Sequence, residues 1–204
     1  MISDTKVVAI GGGTGLSTML KGLKLHTHNI TAVVTVADDG GSSGILRSDL
    51  GMLAPGDVRN CVSALAEVDP VMGELLNFRF KDGSLKGHSL GNLFLAALNE
   101  TSSSFDEAVK KFSHLTGVVG TVYPVTNESV TLSALLEDGR LIEGESHIGV
   151  HHDGPKNGIV KLMVNPEKPK AVDGVIMALE KADIIVLGPG SLYTSIIPNL
   201  LVDG

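Results

Sequence analysis

Glycine marks the places where apolar runs end in this chain. It clusters at Gly11–Gly15, Gly40–Gly44, Gly87–Gly91 and Gly188–Gly190. Three clusters follow, directly or within three residues, the β-branched runs Val7–Ile10, Ile30–Val36 and Ile184–Leu187. A short, wholly apolar, Val/Ile-rich run reads as a strand buried on both faces. The gaps carry helical spacing. Leu16, Met19, Leu20 and Leu23 recur at i, i+3, i+4 and i+7, as do Val58, Cys61, Val62 and Leu65, and Leu90, Leu93, Phe94 and Ala97. Phe105, Ala108, Val109 and Phe112 form another such face behind a capping box, Ser104-x-x-Glu107. Asp69-Pro70 opens a further helix. Strands alternating with helices predict a three-layer α/β/α, Rossmann-like fold with a mostly parallel sheet.

One stretch breaks the alternation. Val130–Leu136 and Leu141–Glu145 flank Asp138-Gly139, a hairpin signal, and Ile159–Val164 supplies a third strand. Residues 120–165 are therefore expected to be a small antiparallel β insertion on a single domain. The α/β pattern resumes with Val172, Val175, Ile176 and Leu179, then Ile184–Leu187.

Composition removes several function classes. Against 16 Lys+Arg stand 23 Asp+Glu, a net charge of −7, which disfavours sequence-independent nucleic-acid binding. Apolar residues make up 43% and charged ones 19%, so the chain packs a core rather than remaining disordered. That core is aliphatic, since aromatics are 3%. A single cysteine, Cys61, excludes a disulfide framework and suits a reducing, cytoplasmic setting. No signal or membrane-spanning run is visible, so no membrane partner is expected.

The glycine loops read as chemistry. Val7-Val8-Ala9-Ile10-Gly11-Gly12-Gly13-Thr14-Gly15 ends a strand and opens a helix, whose free N–H groups make an anion site. Gly11-x-Gly13 matches a dinucleotide fingerprint, but Leu16 stands where its third glycine belongs, and no Gly-Lys-Ser/Thr follows for a Walker A loop. Asp38-Asp39-Gly40-Gly41-Ser42-Ser43, with Arg47, follows the second strand. Its carboxylates suit a ribose hydroxyl or Mg²⁺, and its hydroxyls, amides and guanidinium suit phosphate. In Pro55-Gly56-Asp57-Val58-Arg59-Asn60, Asp57 reads as a helix N-cap, with Arg59 and Asn60 in a first turn facing a ligand. Gly87-His88-Ser89-Leu90-Gly91 matches the G-x-S-x-G nucleophile elbow, but no buried strand precedes it. Ser89 and Asn92 read instead as a helix start shared with the site. Gly188-Pro189-Gly190-Ser191 mirrors the first loop. Strand ends of a parallel sheet share one edge, so these loops are expected to converge. The histidines read as surface or capping groups. His147 and His151 have i, i+4 spacing, but Gly149 and the hairpin context argue against a helix there.

Taken in order, GGGTGLSTMLKGL, VADDGGSSGILR, PGDVRNCVSAL, GHSLGNLFLAAL, VYPVT and GPGSLYTSIIPNLL closely resemble the YvcK family, the gluconeogenesis-factor branch of the CofD-like proteins. The resemblance runs from Lys6 to the last residue. It implies a cytoplasmic bacterial regulator that binds a UDP-sugar such as UDP-N-acetylglucosamine and supports cell shape and growth on gluconeogenic carbon. It also implies that Gly12, Gly13, Thr14, Gly15, Asp38, Asp39, Asn92, Gly188, Gly190 and Ser191 face the ligand. The sister branch, 2-phospho-L-lactate transferase, implies the alternative: an Mg²⁺-dependent transferase with the metal on Asp38 and Asp39. The family's pattern continues past Gly204, so part of the family domain is expected to lie outside these residues.

The candidate ligand set is thus Gly12, Gly13, Thr14, Gly15, Asp38, Asp39, Ser42, Ser43, Arg47, Arg59, Asn60, Ser89, Asn92, Gly188, Gly190 and Ser191, with no catalytic residue assigned. The expected partners are a nucleotide or nucleotide sugar, with NAD and Mg²⁺ as candidate cofactors, and further copies of the chain in a homo-oligomer. A dinucleotide oxidoreductase is disfavoured by the missing third glycine and by the lack of a Tyr-Lys or His-Asp pair. A tubulin-like GTPase also carries GGGTG, but there the loop lies mid-domain.

Overall fold

The computed structural model describes residues 3–151 and 157–204, and of His151 the backbone only. The principal sheet is parallel, in the order β3-β2-β1-β7. It comprises β1 (Val7–Gly11), β2 (Ile30–Val34), β3 (Thr121–Pro124) and β7 (Ile184–Leu187). Period two is visible in the packing. Ala9, Ala32 and Val34 enter a core under α1 (Gly13–Leu23), α3 (Pro55–Leu65), α5 (Leu90–Glu100) and α6 (Phe105–Leu115). Val8, Ile10 and Val33 enter a second core on the opposite face, with Val172 and with Val175 from α8 (Asp173–Glu180). That division is the α/β/α layering expected from the sequence. No helix among the described residues is long and apolar enough to cross a membrane.

The helix starts follow local chemistry. Asp69 caps α4 (Pro70–Asn77) by accepting from Val71 N at 2.9 Å. Ser104 caps α6 through Glu107 N at 3.4 Å. The reciprocal half of that box is shifted by one residue, because Glu107 accepts from Ser103 N at 2.7 Å. Cys61 lies fully buried on α3, and burial pushes its thiol up, as befits a core residue.

Four expectations are corrected. First, β7 is not buried on both faces: Ile184, Ile185 and Leu187 are about half exposed, and among the described residues β1 is the one strand that pairs with it. Second, the antiparallel sheet comprises β4 (Thr131–Leu136), β5 (Leu141–Glu143) and β6 (Ile159–Asn165), ordered β5-β4-β6. It turns at Gly139, whose φ is +84°. The insertion thus begins after residue 124, since 121–124 pairs parallel with β2. Third, much of the second glycine loop is helical, forming α2 (Gly41–Leu50). Fourth, Glu145–His151 is a helix, α7, despite Gly149. Asp39, more than a hundred residues away, accepts from Glu145 N and Ser146 N at 2.9 Å each, satisfying two amides that would otherwise lack partners. Local spacing cannot reveal a cap supplied from so far along the chain.

Candidate functional site

Chain order places the site. From β1 the sheet grows one way through β2 and β3, while β7 joins on the other side. The switch point therefore lies between the carboxyl ends of β1 and β7, where a parallel sheet opens a crevice. The first and last glycine loops leave from those two ends. They approach so closely that side chains would block them. A Cβ on Gly15 would lie 2.6 Å from Pro189 O, one on Gly190 would lie 2.9 Å from Ser195 Cβ, and one on Gly12 would lie 2.5 Å from Thr35 Cγ2. Gly13 and Gly188 adopt φ of +67° and +87°, which favours glycine. Residues 12–15 and 188–190 thus share one rim.

That rim holds a carboxylate. Gly13 N–H, at the start of α1, donates to Asp57 Oδ2 at 2.6 Å. Asp57 is not the cap of α3; Ala54 holds that position ahead of Pro55. Asp57 instead reaches across to α1 and occupies the kind of seat a phosphate takes at a helix N-terminus. Its pKa is pushed up to about 6, first by burial and then by Asp38 and Glu145, while the Gly13 amide opposes the shift. Glu145, from α7, is raised by burial and by Asp38 and Asp39. Asp38 thus adds to the effect of burial on both Asp57 and Glu145, making a charge on either more costly. Asp57, Glu145 and Ser195 were not in the set read from the sequence. Asp57 was legible as a helix-start residue only, and no local signal marks Glu145.

The remaining candidates divide. Asp38 lies near the rim, with Oδ1 accepting from Gly40 N at 3.0 Å. Asp39 faces elsewhere, with both oxygens engaged on α7. The adjacent acids therefore do not form a paired metal clamp. Arg47 is also engaged: it donates to Asp38 O at 3.1 Å and Val130 O at 2.8 Å, tying the insertion to the body rather than facing a ligand. Ser43 Oγ accepts from Gly56 N at 3.2 Å. Ser42 Oγ meets His88 Nδ1 at 2.9 Å and accepts from Asn92 Nδ2 at 3.0 Å. Arg59 Nε donates to Asn92 Oδ1 at 3.3 Å. Ser89 is a buried cap for Asn92 N at 3.2 Å, not a nucleophile on an elbow. Ser191 caps the π-helical turn Leu192–Ile196 through Thr194 N at 3.4 Å, and α9 (Ile197–Leu200) follows. Thr14 is exposed on α1 and Asn60 half-buried on α3. Among the histidines, His147 Nδ1 contacts Glu143 O at 2.8 Å, while His152, Asp153 and the His151 side chain lie outside the described residues. Among the described residues, no three His, Cys, Asp or Glu side chains gather to hold a metal unaided.

A family model described as 2-phospho-L-lactate transferase CofD matches residues 7–204. A relative from Thermoanaerobacterium thermosulfurigenes is 58% identical over 202 residues, which is 99% of this chain and 62% of the relative. The gluconeogenesis factor of Bacillus subtilis is 48% identical over 200 residues, covering 97% of this chain and 61% of that protein. A crystal structure of a Bacillus halodurans protein superposes with a TM-score of 0.93 at 46% identity, covering 99% of this chain and 64% of that one. The chain thus spans about six-tenths of the length of these relatives.

Proposed function

The chain belongs to the CofD family, and from that premise we propose that it binds a nucleotide sugar of the UDP-N-acetylglucosamine type in the β1/β7 crevice. In this reading it acts as a cytoplasmic regulator of cell shape and of growth on gluconeogenic carbon. The observation that carries the binding role is the meeting of two glycine loops around the Gly13 amide. Backbone amides at a switch point suit a diphosphate, which would take over the Gly13 amide now held by the Asp57 carboxylate. The physiological role draws on relatives that carry the name gluconeogenesis factor.

One observation favours a second reading, Mg²⁺-dependent group transfer: the carboxylates of Asp38 and Asp57 both stand beside the crevice, Asp57 Oδ2 within 2.9 Å of a Cβ on Gly12 and Asp38 Oδ2 within 3.4 Å of a Cβ on Gly56. Hard carboxylate oxygens fit Mg²⁺, which is commonly held by one or two carboxylates together with substrate phosphates and water. Asp38 and Asp57 are the residues that would share it with the ligand, and the ion would neutralise phosphate charge beside them.

Calorimetry of the 204-residue chain with UDP-N-acetylglucosamine, NAD and a deazaflavin, with and without Mg²⁺, separates the two. The regulator reading expects saturable UDP-sugar binding and intact ligand after long incubation. Strict Mg²⁺ dependence with released product replaces it by the transferase reading. Absence of UDP-sugar binding removes it.

A further inference from the structure

Arg59 is 6% exposed, yet no carboxylate pairs with it among the described residues. Its Nε and Nη1 donate to the neutral amide oxygens of Asn92 at 3.3 Å and Asn77 at 2.8 Å. Those amides are held oxygen-first, because Asn77 Nδ2 donates to Gly73 O at 2.8 Å and Asn92 Nδ2 to Ser42 Oγ at 3.0 Å. Nη2 makes no hydrogen bond among the described residues. Packing holds the stem in place: a Cβ on Gly91 would lie 2.9 Å from Arg59 Cδ and 2.6 Å from Leu76 O. A desolvated guanidinium without an acid is costly. In a chain with 23 acidic residues against 16 basic ones, a shortage of partners does not explain it.

A second cation stands nearby. Residue 79 bridges residue 89, and the Arg79 guanidinium donates to Gly87 O, which fixes it beside the start of α5. Burial and then the Arg79 charge push the Arg59 pKa down, while Asp57 opposes them. His88, 7% exposed, closes the group against Ser42. Arg47 supplies the contrast, since its donors are already used on carbonyls.

We propose that Arg59, Arg79 and His88 form an oxyanion subsite on the opposite side of α3's first turn from the Asp57–Gly13 contact. It takes a phosphate or carboxylate through the free Nη2 and the Arg79 fork. That this anion is the far end of the crevice ligand rests on the nucleotide-sugar reading; the subsite itself does not. The Asn77 and Asn92 oxygens orient the Arg59 fork, and the incoming anion supplies the missing countercharge.

The test titrates the 204-residue chain with inorganic phosphate, and separately with acetate, in wild type, Arg79→Gln and Arg59→Lys. Arg79→Gln alters an exposed residue and keeps the fold readable by circular dichroism. Arg79→Gln is expected to weaken phosphate binding fivefold or more. Arg59→Lys, which keeps the charge and loses the fork, is expected to weaken it comparably, while Gly22→Ala, where an added Cβ meets nothing within 4 Å, leaves it unchanged. The same loss with acetate but not phosphate assigns the subsite to carboxylates. Neither ion binding wild type, or both titrating Arg79→Gln as wild type, overturns the proposal. Failure of UDP-N-acetylglucosamine to bind, with the phosphate effect intact, sinks the nucleotide-sugar reading and leaves the subsite standing.

Discussion

Replacing Asp57 with asparagine is expected to raise the melting temperature of the ligand-free chain by several degrees at pH 8. The folded protein holds the Asp57 pKa at about 6, against an ordinary value of 3.8. The folded state therefore binds that proton more tightly than the unfolded chain. The resulting stability is fully present below about pH 3.8 and is lost as pH rises through about 6. Above pH 6 the native state carries a desolvated carboxylate facing Asp38 and Glu145. Asparagine keeps an oxygen for the Gly13 amide and removes the charge. A shift of about two pH units corresponds to roughly 3 kcal/mol, which for a chain of this length moves the midpoint by several degrees. Thermal unfolding between pH 4 and 8 checks the sign: the advantage of the variant should shrink as pH falls from 6 to 4. An equal or lower midpoint for the variant at pH 8 would contradict the buried-carboxylate account. A destabilising charge kept at a crevice is the pattern expected where stability has been exchanged for function.

Gly15→Ala is expected to cost at least tenfold in UDP-N-acetylglucosamine affinity and about 1–3 kcal/mol in stability. Alanine in a helix normally gains up to about 1 kcal/mol over glycine. Here the new Cβ would meet backbone, with Pro189 O at 2.6 Å and Pro189 C at 3.0 Å, so nothing flexible can yield. The two glycine loops must part, and the amides that define the crevice part with them. Gly22→Ala is the control. It lies on the same helix with nothing within 4 Å, so it should gain stability and bind as wild type. Calorimetry and chemical denaturation read both; equal affinity in Gly15→Ala and wild type would disconnect the loop contact from binding.

What could be read from the sequence was set by local chemistry. The strands at 7–11 and 184–187, the helices at 13–23, 55–65, 90–100 and 105–115, and the hairpin at Gly139 follow from periodicity and turn residues within single segments. The convergence of residues 12–15 with 188–190 was legible too, because parallel strands share an edge. Apart from the helix Gly41–Leu50, whose Gly-Ser-Ser-Gly opening reads locally as a loop, the misses involve partners distant in sequence. The helix 145–151 is capped by Asp39, the Asp57 carboxylate faces a glycine forty-four residues earlier, and Arg47 is occupied by Val130. The exposure of β7 depends on which strands flank it, a property of sheet order that the wholly apolar run Ile184–Leu187 does not contain.

In the proposed function, backbone amides at the β1/β7 switch point grip an anionic nucleotide. Amide-resolved nuclear magnetic resonance of the ¹⁵N-labelled chain, titrated with UDP-N-acetylglucosamine, addresses it directly. The expected result is that the amides of Gly13, Gly15 and Gly190 shift first and furthest and become protected from exchange with solvent. Saturable binding that leaves those amides unmoved, with the largest shifts on another face of the molecule, would contradict it.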